Sequence, residues 1–172
     1  VRITQSYGVY DDNGGQGAIG TAIGGAAQIE AIGNKVFEYT TVGSGQMATI
    51  KTDSQNYMST ATTALSRLGG SIPDSALQVR SGVEVRSAGD LIFSSDYDLG
   101  SITAVANNQP GMLTLRAAGN LLVNGNLSDG FNSATGTTLD GGDSWSYRLV
   151  AGSVLSAADP MAVRRNADPA TG

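Results

Sequence analysis

Val83-Glu84-Val85-Arg86-Ser87-Ala88-Gly89-Asp90-Leu91-Ile92-Phe93 lies thirty residues before Leu113-Thr114-Leu115-Arg116-Ala117-Ala118-Gly119-Asn120-Leu121-Leu122-Val123, and the two agree in character at every position. Each reads as a short alternating strand, a three-residue Ala-Gly-Asx corner and a second short apolar strand. A looser third copy, Tyr147-Arg148-Leu149-Val150-Ala151-Gly152-Ser153-Val154-Leu155, keeps the Ala-Gly-polar corner and the apolar pair after it. Its alternation before the corner is one residue out of phase, and a one-residue slip exchanges the faces of a strand, so this copy either needs a bulge or aligns in another register.

The same grammar continues upstream. Gln28-Ile29-Glu30-Ala31-Ile32-Gly33-Asn34-Lys35-Val36-Phe37 has a Gly-Asn corner between two strand-like runs, and Gly45–Thr52 offers another alternating run. Short strands joined by single corners of constant sense wind most naturally into a parallel β-solenoid, each coil stacked at ~4.8 Å on the last. Val, Leu and Ile then form inward columns, and Asp90 and Asn120 occupy equivalent corners suited to a polar Asx ladder. With roughly 20 to 25 residues per coil, the chain holds about seven or eight coils. The thirty-residue offset is then one coil plus a loop, Asn107-Asn108-Gln109-Pro110-Gly111.

One segment departs from this pattern. From Ser54 to Leu68, residues Tyr57, Met58, Ala61, Ala64, Leu65 and Leu68 share one helical face, and Gly69-Gly70 follows as a stop. The expectation is all-β: a right-handed parallel β-helix with one short amphipathic helix inserted and packed on it. Residues 1–53 are N-terminal coils, 54–72 the helical insertion, 73–163 the regular coils and 164–172 a polar tail or linker.

The chain has 172 residues, a net charge of −5, no Cys, no His and one Trp. Disulfides, thiol chemistry, imidazole metal sites and histidine-activated nucleophiles are therefore excluded. The acidic balance argues against nucleic acid, whose phosphates require clustered Lys and Arg. Twelve of the fifteen acidic residues are Asp and eight of the ten basic residues are Arg. With Glu and Lys scarce and 24 Gly present, the composition favours turns over surface helices. No stretch approaches eighteen consecutive apolar residues, and the opening Val1-Arg2-Ile3 does not read as a charged-then-apolar leader.

Acid–base work falls to carboxylates. Asp96-Tyr97-Asp98 sets two on one strand face, and Asp140 and Asp143 flank a Gly-Gly turn. Turn or edge Asp is the plainer reading. Gly14-Gly15-Gln16-Gly17 and Gly141-Gly142-Asp143 are unrepeated fragments of a calcium nonapeptide, and Gly20–Gly25 lacks the Lys of a phosphate loop. No cofactor or metal is expected. Trp145 and Tyr147 alternate on one face, either as exposed sugar-stacking aromatics or, the favoured reading, as plugs for one end of the core. Arg80, Arg86, Arg116 and Arg148 have outward phase and are expected to make surface pairs with neighbouring Asp.

The run Leu77–Leu91, together with Gly111–Leu121, Leu127-Ser128-Asp129-Gly130-Phe131 and Ser144–Gly152, resembles the filamentous-haemagglutinin-like family of large bacterial exoproteins. The likeness covers roughly residues 45 to 160, about two-thirds of the chain. It implies an internal or C-terminal slice of a β-helical stalk, exported through an outer-membrane secretion pore by two-partner secretion. Such a stalk is secreted or displayed at the cell surface and meets host or neighbouring-cell glycans or proteins. The expected function is that of a non-catalytic stalk segment of an adhesin-like exoprotein. The alternatives are a carbohydrate-active β-helix enzyme using Asp pairs and a fibre subunit built by end-to-end self-association.

Overall fold

The computed structural model describes residues 2–6, 29–59, 77–102, 110–130 and 144–164. Among the described residues, ten strands lie in three parallel sheets. The largest contains β1 (Arg2–Ser6), β2 (Ile29–Glu38), β4 (Leu77–Ser87), β7 (Met112–Ala117) and β10 (Ser146–Val150), in that spatial order. The second holds β3 (Thr41–Val42), β5 (Leu91–Phe93) and β8 (Leu121–Val123), and the third β6 (Tyr97–Asp98) and β9 (Leu127–Ser128). Register follows the thirty-residue offset: Val83 pairs with Leu113, Val85 with Leu115, Leu91 with Leu121, Phe93 with Val123 and Tyr97 with Leu127. Apolar side chains thereby stack on apolar side chains, and Val85, Leu91, Phe93, Leu99, Leu113 and Leu115 are fully buried.

This is not the all-β right-handed parallel β-helix that the repeats predict. The architecture is mixed, and the described strands do not close into a solenoid. The chain after β3 forms a sixteen-residue helix, α1 (Ser44–Ser59), which places Met47, Ile50 and Met58 in the same core as the sheets. The alternating run at Gly45–Thr52 is thus helical. Short apolar runs fit both periods, and the 47, 50, 54, 58 spacing of the buried residues is helical. A local cap fixes the start: Gln46 Oε1 accepts the Gly43 N–H at 3.1 Å, and Met47 N–H donates to the Gly43 carbonyl. The helix begins ten residues before the predicted Ser54. Residues 60–68 of the predicted face lie outside the described residues.

The expected Gly-Asn corner is also absent, because β2 runs unbroken through Gly33 and Asn34. A Cβ on Gly33 would sit 2.5 Å from ring carbons of Tyr57 on α1. This glycine lets the helix close on the strand rather than turning the chain. Nearby, Ser81 Oγ donates to Ser54 Oγ at 2.8 Å, joining β4 to α1 through two buried hydroxyls.

The phase slip in the third copy has a structural counterpart. Val150 pairs with Arg116, an offset of 34, whereas Gly152 N–H bonds the Gly119 carbonyl, an offset of 33. One residue is lost between strand and corner, and Gly152 takes it up at φ +64°.

Candidate interaction surface

The corners are tied by side-chain rungs. Asp90 Oδ1 accepts from Asn120 N–H at 2.7 Å and from Asn120 Nδ2 at 3.2 Å. Asp96 Oδ1 accepts from Asn126 N–H at 2.6 Å. Asp96 is therefore a backbone acceptor in a turn, outside strand β6, and does not share a strand face with Asp98. Asp98 caps the following 3₁₀ turn by accepting Gly100 N–H at 2.9 Å. Asp140, Asp143, Phe131 and the Gly14–Gly17 and Gly141–Gly142 segments lie outside the described residues. Among the described residues no three acidic, His or Cys side chains gather to hold a metal.

Three of the four outward-phase arginines pair with glutamate instead of aspartate. Arg80 meets Glu30 at 2.9 Å, Arg86 meets Glu38 at 2.9 Å and Arg116 meets Glu84 at 3.0 Å. The three glutamates of the chain are all engaged in this way, each across neighbouring strands of the large sheet. Arg116 is not on the surface. It is 4% exposed, and it also donates to Ser153 Oγ at 3.0 Å and to the Val154 carbonyl at 2.8 Å. The sequence shows its outward phase but not the chain that later folds across it.

Trp145 and Tyr147 end up in different settings. Trp145 is buried with its ring over the backbone of Gly111, and its backbone N–H donates to Asp129 Oδ2. Tyr147 sits across from Leu113 at the last described level and is 37% exposed. Partial burial, the Asp129 carboxylate, a hydrogen bond to it and the charge of Asp98 hold the Tyr147 phenol well above its ordinary range. The sequence marks Asp129 only by the Gly130 that follows it.

The same end of the molecule is the surface with most to offer a partner. Tyr147, Leu149 and Val123 continue the buried columns of Leu113, Leu115 and Phe93, yet Leu149 is 49% and Val123 46% exposed. Leu91 N–H bonds the Asn120 carbonyl, and Asn124 N–H bonds the Phe93 carbonyl. By the alternation of a parallel ladder, Leu121 and Val123 direct their N–H and C=O groups away from β5, toward the edge that no described strand occupies. β10 likewise bonds only β7 among the described strands. Free donors and acceptors beside exposed apolar side chains accept an added strand. Elsewhere, a cleft of about 210 Å³ lies among Glu38, Tyr39, Arg86 and Leu155, smaller than ligand pockets of roughly 300 Å³ and above.

No helix among the described residues is long and apolar enough to cross a membrane. No family model, curated protein or solved structure matches the chain.

Proposed function

We propose that the chain is a non-catalytic structural segment of a secreted or surface-exposed, adhesin-like bacterial exoprotein. The observation that carries this reading is the like-over-like parallel register, with apolar columns inside and Asp–Asn rungs at the corners. Such a body gains stiffness from continuous interstrand bonding and presents its turns as contact surfaces. The resemblance to filamentous-haemagglutinin-like proteins supports the same reading. It supplies the proposed partners: an outer-membrane secretion pore during export, then glycans or proteins of a host or neighbouring cell.

The test is saturable binding of fluorescently labelled protein to cultured cells, run beside assays for oligosaccharide cleavage. Binding that D98N/D129N leaves unchanged is expected. Saccharide turnover abolished by that double substitution, or no cell binding, would overturn the reading. A second reading, end-to-end self-association, is favoured by the exposure of Leu149 and Val123 at an open sheet edge. It requires a mass that grows with protein concentration and that L149K returns to monomer.

A further inference from the structure

The chain reaches its last described corner in position to extend the second sheet, and turns away from it. Gly152 N–H bonds the Gly119 carbonyl at 2.8 Å, as Gly119 N–H bonds that of Gly89 at 2.9 Å, so the three corners stack. After Gly89 and Gly119 the chain enters β5 and β8. After Gly152 it folds out across the large sheet. There Arg116 holds Ser153 Oγ and the Val154 carbonyl, and Val154 N–H bonds the Ala162 carbonyl at 2.9 Å. Arg164 N–H bonds the Gly152 carbonyl at 2.8 Å, and Ser153 and Val163 form an antiparallel bridge. Residues 153–164 are thus a closed strap, with Leu155 lining the same cleft as Glu38, Arg86 and Ala88.

Its sequence also fits the vacated place. Val154-Leu155 follows Ala151-Gly152-Ser153 as Leu121-Leu122 follows Ala118-Gly119-Asn120, and as Leu91-Ile92 follows Ala88-Gly89-Asp90. Carried one residue past the stacked glycines, the 33-residue offset sets Ser153 beside Asn120, Val154 beside Leu121 and Leu155 beside Leu122. The free polar groups of Leu121 and Val123 face that space.

We propose that the strap is a two-position element: released from Arg116, Ser153–Ser156 pairs in parallel with β8 and covers its open edge. The pivot is Gly152, whose φ of +64° is the only positive value among the described residues. In the strapped position the β8 edge is available to other strands; in the paired position it is closed. This goes beyond the structural role proposed above and does not depend on it.

The chain has no cysteine, so engineered pairs report each position without background. A88C/L155C pairs two residues that line the same cleft, and its oxidation yield with Gly152 intact sets the reference for the strapped position. L122C/L155C reports the paired position, since directly opposed residues of adjacent parallel strands lie within disulfide reach. Introduced into both pairs, G152A penalises the left-handed pivot, and the L122C/L155C yield under mild oxidation is expected to rise about fivefold or more as the A88C/L155C yield falls. S153A removes one Arg116 bond while leaving the corner intact, and a smaller shift in the same direction is expected. It decides the matter if circular dichroism shows G152A to be unfolded. An unchanged ratio of the two yields, or L122C/L155C disulfides formed only between chains, would overturn the proposal.

Discussion

Replacing Arg116 by methionine removes three hydrogen bonds at once, to Glu84, Ser153 and the Val154 carbonyl, from a side chain that is 4% exposed. Methionine restores much of the volume, so the loss is mainly polar. Breaking a fully buried ion pair costs about 3–5 kcal/mol. Glu84 is 23% exposed and regains some water, which lowers its share. Ser153 is fully buried, and its hydroxyl keeps only a long 3.5 Å contact to the Ala162 carbonyl. An orphaned neutral group costs about 1–3 kcal/mol. The expected total is about 3 kcal/mol. For a chain of this length that corresponds to a melting temperature lower by about 6–12 °C. Urea unfolding of wild type, R116M, E84Q and the double variant separates the terms, and a coupling of about 1–2 kcal/mol between the two positions is expected. An R116M cost below about 0.5 kcal/mol, the range of ordinary surface substitutions, would refute the argument that Arg116 clamps the strap.

Three further outcomes follow from the geometry. G33A forces a Cβ against the Tyr57 ring and should cost about 1–3 kcal/mol in urea unfolding, with most of that cost absent in a Y57A background. D96A removes the acceptor for Asn126 N–H and should cost about 1 kcal/mol, with faster amide exchange at Asn126 as the local readout. The Tyr147 phenol is raised in the folded state, so its contribution to stability is complete below its ordinary value of about 10 and is lost as pH rises beyond it. Y147F should therefore show a shallower fall of the urea midpoint between pH 9 and 11 than wild type, and an identical fall would contradict the assigned environment.

The interstrand register was legible in the sequence because period-two alternation and corner residues repeat together, leaving one alignment in which apolar side chains meet apolar side chains. The Asp90–Asn120 rung could be read from the same alignment. The one-residue slip before Gly152 showed as a phase error. The helix did not show at its true start, because Met47 and Ile50 fit an alternating run as well as a helical face over so short a stretch. Gly33 was read as a turn, since its reason is the ring of Tyr57, brought in from another element. Arg116 looked like its neighbours Arg80 and Arg86, and only the path of residues 153–164 buries it. On the candidate surface, Trp145 and Tyr147 were visible by type and spacing. Their separation into a buried residue and a partly exposed one depends on which level of the stack comes last.

The paired corners set a limit on how alike successive repeats can become. In each rung one member is charged and the other neutral: Asp90 with Asn120, and Asp96 with Asn126. Duplicating the Asp-bearing repeat unchanged would place carboxylate against carboxylate, whereas an amide stacked on an amide keeps its Oδ1 as acceptor. Hydrocarbon tolerates copying without penalty, whereas ionised groups do not. A gene lengthened by tandem duplication would thus face selection at these positions first, with replacement of Asp by Asn the change that relieves it.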